Sequence, residues 1–313
     1  MPDLGWDGHH ADPYPMAAEL VGDVPHGDPL WRRVGRGAVH AFLPTGDVRS
    51  VAEQAASIQR PITTGRRIAV AGMRGGAGKS TVTALLATVF AHYRRDRVLA
   101  LDIDPDFGTL ALRLGAARRH AVGDLTMANG FRSFDEAEPF LVRVGQRLWT
   151  LAGNHGHIGD APLSAEIYRD RAMPLTRFFG ITLVDCDSGI TGPLSRHVLE
   201  GAHVQVLVAP ATPDGARSVG RELDWLQSAG LQERLARTVV VFTVKAPYGR
   251  RYLDLDGASA ILADVGVACV RFDYDRHLAS GAPLDPQRLA HNTRTTAIRL
   301  AALLLDRAVP SEP

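Results

Sequence analysis

The stretch that decides the fold is Arg67-Ile68-Ala69-Val70-Ala71-Gly72-Met73-Arg74-Gly75-Gly76-Ala77-Gly78-Lys79-Ser80-Thr81. A short apolar run enters a glycine-rich loop, which leads into Val82-Thr83-Ala84-Leu85-Leu86-Ala87-Thr88-Val89-Phe90, a segment of helical spacing. Strand, glycine loop and helix stand in the order a phosphate cradle requires. Gly75, Gly76 and Gly78 let the main chain curl until successive amides face one anion. Lys79 is then placed to reach terminal phosphates, and the Ser80 hydroxyl to ligate Mg²⁺. Of the 35 Lys and Arg residues only two, Lys79 and Lys245, are lysines, so the lysine in this loop departs from the chain's own habit of writing Arg.

Outward from the loop, apolar runs recur as RVLALD, LWTLAG, FGITLVD, HVQVLVAP, TVVVFTV and GVACVRF, separated by longer segments of helical spacing. That alternation predicts an α/β fold with a doubly wound, mostly parallel sheet and helices on both faces. In such a sheet ligands sit beyond the carboxyl ends of the strands. Residues 61–313 are read as one domain. Residues 1–60, rich in Asp, His, Pro and Gly, are read as an arm with one short helix, partly ordered by docking.

Two strand ends deliver acids. RVLALD closes on Asp102-Ile103-Asp104-Pro105-Asp106, and alternation puts Asp102 and Asp104 on one face, where like charges call for a cation or a water network. Asp104 and Asp106 also suit a turn and a helix cap. Phe179-Gly180-Ile181-Thr182-Leu183-Val184-Asp185-Cys186-Asp187-Ser188-Gly189 is an apolar strand carrying Asp185 to the same edge, an arrangement suited to holding Mg²⁺.

The pattern Arg74-Gly75-Gly76-Ala77-Gly78-Lys79-Ser80-Thr81 resembles the deviant Walker A loop of the MinD/ParA family of dimeric P-loop ATPases. The resemblance implies ATP and Mg²⁺ as ligands, an ATP-dependent homodimer and slow, partner-regulated hydrolysis. It implies that Arg74 stands where the family has a lysine reaching the partner's nucleotide; a solvated arginine is the alternative. Carried over further, Asp104 positions the attacking water, Asp102 and Asp185 support Mg²⁺ with Ser80, and Gly189 senses the γ-phosphate. Thr243 stands where many relatives have a purine-reading asparagine. Phe272 and Asp273 fall in a segment similar to the one that meets adenine. Lys245 packs along the base, binds another anion or is a solvated surface group. RVLALDIDPDFGTLALRLG and FDYDRHLASGAPLDPQRL look most like the EspI-like ATPases of actinobacterial type VII secretion loci, which implies an unidentified partner, possibly secretion machinery. A non-hydrolysing nucleotide-gated adaptor and a ParA-like DNA-partitioning ATPase are the alternatives.

Charge and composition remove other classes. Thirty-five basic against 34 acidic residues give +1, so no chain-wide field draws the chain to DNA or an anionic membrane. Arg113, Arg118, Arg119, Arg250 and Arg251 read as a solvated face rather than a DNA patch. Cys186 and Cys269 sit in apolar text without metal-ligand spacing, which predicts reduced thiols and a cytoplasmic protein. No signal-peptide pattern or membrane-length apolar run is found. His155 and His157 read as loop residues rather than metal ligands, and the last amphipathic segment as a core-packing helix rather than a membrane anchor.

Overall fold

A computed structural model of the chain describes residues 25–28, 46–72, 74–104, 108–117, 119–125, 130–154, 163–188, 192–228, 231–247 and 253–309. All seven apolar runs become strands of one sheet. In chain order the strands are β1 (Arg66–Gly72), β2 (Val98–Asp102), β3 (Val142–Arg143), β4 (Leu148–Ala152), β5 (Ile181–Ser188), β6 (Val204–Pro210), β7 (Thr238–Thr243) and β8 (Ala268–Phe272). Their spatial order is β3-β4-β2-β5-β1-β6-β7-β8. Every pairing is parallel except that of β3 with β4. The two-residue edge strand β3 is too short to carry a period, so the apolar pattern does not announce it.

The chain begins the sheet near its centre, runs outward through β2 to β4, returns to β5 and then crosses to β6, β7 and β8. The direction therefore reverses around β1, and the crevice that receives ligands in open parallel sheets opens at its carboxyl end. The glycine loop lies there.

The longer helices are α1 (Gly46–Ile58), α2 (Lys79–Tyr93), α3 (Pro193–Gly201), α4 (Pro213–Ser228), α5 (Leu255–Asp264) and α6 (His291–Ala308). Strand alternation divides the core between the two faces. Ile68 and Val70 join Leu85, Phe90 and the buried stripe of α6 on one side, while Ala69 and Ala71 lie on the side of Val198, Leu223 and Leu262. Helix α6 buries Ile298, Leu300, Leu304 and Leu305, so its apolar stripe is spent on the core. Among the described residues, no helix is long and apolar enough to cross a membrane. Helix α1 docks on the outside of α6: Ile58 is fully buried, its carbonyl accepts from Arg94 Nη1 at 2.6 Å, and Arg60 pairs with Asp306 at 3.0 Å.

Candidate functional site

The chain leaves β1 and turns left-handed at Gly76 (φ 73°) and again at Gly78 (φ 100°), the residue that caps α2. A side chain at either position would be strained. Gly78 offers no capping group, and no acid occupies the first turn of α2. The first turn of α2 thus has no side-chain cap at its amides, and the positive end of the helix dipole lies behind them, the arrangement that suits an anion. The Lys79 stem lies over Gly72, in van der Waals range of where a Cβ would be, and the lysine is buried. The loop is braced from below, because the buried Thr243 hydroxyl at the end of β7 donates to the Ala77 carbonyl at 2.7 Å.

Asp102 and Asp185 are register partners on the adjacent strands β2 and β5. Their surroundings separate their roles. Asp102 accepts from the Asp104 amide at 3.1 Å and from the Leu110 amide at 3.3 Å, one on each oxygen, and so closes the loop that follows β2. Asp185 accepts from the Thr83 hydroxyl on Oδ1 at 3.2 Å, but its buried Oδ2 has no hydrogen-bond partner among the described residues. Burial, reinforced by the charges of Asp102 and Asp104, holds the Asp185 carboxyl well above the usual range; the Ser80 hydroxyl and the Lys79 ammonium pull the other way. An orphaned acidic oxygen beside a hydroxyl and a phosphate-type loop fits a hard divalent cation. Asp104 is half-buried at the mouth of this pocket.

On the other side of the loop lies a cavity of about 200 Å³ bounded by Gly78, Arg113, Lys245, Phe272, Asp273 and Tyr274. Phe272 and Asp273 are thus brought to the loop from the far edge of the sheet. Asp273 is tied to Arg271 at 3.2 Å and to Asn292 Nδ2 at 2.7 Å. The Lys245 ammonium lies against Gly78, where a Cβ would fall 2.6 Å from Nζ. Burial, and secondarily the nearby Arg113, push Lys245 down to about 8.

Residues 68–271, more than half of the chain, match the model of the CobQ/CobB/MinD/ParA nucleotide binding domain. The chain belongs to this nucleotide-binding family. It is 32% identical over 241 residues to the ESX-1 secretion-associated protein EspI of Mycobacterium tuberculosis, an alignment covering 77% of this chain and 36% of that one. The chain therefore spans about a third of that curated relative's length. Among solved structures, a ParA family ATPase from Chlorobium tepidum superposes with a TM-score of 0.60 at 18% identity, covering 76% of this chain and 98% of that one. The MinD cell division protein of Aquifex aeolicus gives 0.57 at 19%, covering 79% and 100%.

Within this MinD/ParA-type frame, the predicted residues Gly75 through Thr81, Asp102, Asp104, Asp185, Thr243, Lys245, Phe272 and Asp273 all gather at one edge of the sheet. Gly189 lies outside the described residues. Arg74 points to a partner in its own chain: Nη2 sits 2.7 Å from Asp214 Oδ2 in the first turn of α4, and both side chains are half exposed. Arg113 corrects the solvated-face reading. It lines the cavity beside Lys245 and Phe272, its guanidinium 3.4 Å from the Leu278 carbonyl, and burial lowers its pKa. Arg119 is exposed, and Arg118, Arg250, Arg251, His155 and His157 lie outside the described residues. Sequence reasoning missed Asp275, which is buried and accepts from the amides of His277 at 2.8 Å, Leu278 at 3.2 Å and Ala290 at 2.9 Å, fixing the cavity wall. Its signal was present as an aspartate directly before a helical turn.

Proposed function

We propose that this chain is an ATP-operated switch of the MinD/ParA type, which binds ATP with Mg²⁺, forms a homodimer around it and hydrolyses it slowly. The observation that carries the reading is the unpartnered, buried Oδ2 of Asp185 beside Ser80 and Lys79 at the glycine loop. Ser80 and Asp185 would hold Mg²⁺, with Asp102 keeping the neighbouring loop closed. Bound there, the ion draws negative charge from the phosphate oxygens.

Lys79 and the uncapped amides of α2 bind the β- and γ-phosphate oxygens. Asp104 orients a water whose oxygen bonds to the γ-phosphorus as the bond to the bridging oxygen breaks, giving ADP and inorganic phosphate. Phe272, Asp273 and Lys245 border the nucleoside, and Thr243 acts on it through the loop carbonyl. Gly189 is the phosphate-sensing glycine of this reading. In the dimer Arg74 exchanges Asp214 for the partner's nucleotide.

Likeness to a protein named for ESX-1 secretion supports a role in type VII secretion, with residues 61–313 as the ATPase domain and cytoplasmic placement suited to the free thiols of Cys186 and Cys269. A second reading, an adaptor that binds nucleotide without turnover, is favoured by the engagement of Arg74 with its own Asp214. Calorimetry with ATP and Mg²⁺ tests the site: Lys79→Ala is expected to weaken binding about a hundredfold, and unchanged affinity would overturn the assignment. Phosphate release that disappears in Asp104→Ala supports the hydrolase over the adaptor.

A further inference from the structure

At the opposite, amino edge of the sheet a second cleft of about 500 Å³ opens where three neighbouring strands begin. Arg97 directly precedes β2, Arg147 directly precedes β4, and Arg177 lies just upstream of β5. Val98 is paired with both Leu148 and Ile181, so the three strand starts lie side by side, about 4.8 Å apart from strand to strand, with Arg177 in the 3-10 turn that leads to β5. Arg95 adds a fourth guanidinium to the lining. Among the described residues that line the cleft, the single acid, Asp96, is bound by the buried Arg94.

None of the four arginines has a carboxylate partner among the described residues. Some arginines elsewhere in the chain are paired with carboxylates, as Arg60 is with Asp306 at 3.0 Å, Arg271 with Asp273 at 3.2 Å and Arg288 with Asp285 at 3.2 Å. Two of the four are also held in place without being neutralised. The Arg97 guanidinium stacks 3.9 Å from the centre of the Phe134 ring, and Arg177 stacks 4.8 Å from that of Phe178 while donating to the Phe131 carbonyl. Stacking fixes the planar fork of Arg97 and spares its donors, while Arg177 keeps its remaining N–H groups, so part of the ordering entropy of these long side chains is already spent before a ligand arrives.

We propose that this cleft is a binding site for a compact small molecule carrying several clustered phosphate groups. Four like charges around one cleft repel until an anion of comparable charge density joins them, and a guanidinium fork matches phosphate oxygens bidentately. A carboxylate brings one charge and two oxygens, whereas each phosphate brings up to two charges and three oxygens, so a ligand small enough for the cleft meets four forks best through phosphates. Duplex DNA presents its phosphates along an extended rod and is recognised by a track of cations, not by four gathered into one hollow. The site lies the full length of the seven-residue strand β1, roughly 20 Å, from the glycine loop, and stands whether or not that loop hydrolyses ATP.

The test titrates sodium tripolyphosphate into the full chain carrying Lys79→Ala, at about 50 mM salt, where exposed charges are only partly screened. Saturable binding at one per chain is expected. Adding Arg97→Ser and Arg147→Ser should weaken it more than about tenfold, and Arg147→Lys, which keeps charge but not the fork, by about threefold. ADP binding to the chain with intact Lys79 should be unaffected by the same arginine changes. Absent heat, equal binding by the arginine variants, or equally strong competition by a short DNA duplex would overturn the proposal. Should the double variant unfold, Arg147→Lys on folded protein decides it.

Discussion

Arg74 Nη2 lies 2.7 Å from Asp214 Oδ2, an ion pair that ties the phosphate loop to the first turn of α4. Both side chains are about half exposed, so solvent screens the pair and its contribution to stability is at most about 1 kcal/mol. Its consequence is positional, since an arginine held by its own chain is not extended toward another. Asp214→Asn is expected to leave thermal stability within a few degrees of the parent and to raise the fraction of ATP-dependent dimer. Arg74→Ala should lose that dimer with monomer ATP affinity unchanged; light scattering with and without ATP reads both, and equal dimerisation of all three proteins would count against a role across the interface.

Asp185 carries a cost in the ligand-free protein. Its folded pKa stands above the 3.8 of an unfolded aspartate, so between those two values the folded chain binds more protons and stability falls as pH rises. Asp185→Asn removes that loss while keeping an acceptor for Thr83. The variant should melt at the same temperature or a few degrees higher than the parent at pH 7, yet lose the additional stabilisation that Mg²⁺ gives in the presence of ATP. A parent-like Mg²⁺ shift in differential scanning calorimetry would refute the metal role.

Lys245 titrates near physiological pH. Its folded pKa of about 8 lies below the ordinary 10.5, so the ammonium is disfavoured by burial, and its own contribution makes the ligand-free chain gain stability between about 8 and 10.5 as pH rises. Nucleotide bound beside it favours the charged form. ADP affinity should therefore decline from pH 7 to pH 9, with proton uptake on binding, whereas Lys245→Met should show a flatter profile; parallel profiles would remove Lys245 from the site.

Thr243 supports the loop through one hydrogen bond, 2.7 Å from the Ala77 carbonyl. Thr243→Val, similar in volume, should cost about 1 kcal/mol of stability and weaken ATP binding several-fold through a looser loop. Thr243→Ser should retain both. A valine variant with parent affinity would show that the loop holds its curl without this brace.

Legibility followed the range of each interaction. The β1–loop–α2 passage was readable because a phosphate cradle is written in consecutive residues, and its glycines are required by backbone angles that other side chains resist. The acids at 102, 104 and 185 were readable because each terminates an apolar run, and strand ends converge in any parallel sheet. What distinguished Asp102 from Asp185 was not readable: the first is saturated by amides of its own loop, the second left with a bare oxygen. Arg113 was misjudged because a short helical turn gives no sign of which neighbour it will face.

The sequence by itself determined the α/β alternation, the phosphate-type loop and the acids carried to its edge, since each depends on periodicity or spacing within a few residues. Only the tertiary structure decided that Arg74 meets Asp214, that Thr243 braces Ala77 from 166 residues away, and that four arginines from separate approaches to β2, β4 and β5 share one hollow. Those relationships depend on the order in which strands lie side by side. Apolar periodicity drives each strand into the core but is indifferent to its neighbour, and the order is fixed only when all the faces are packed together.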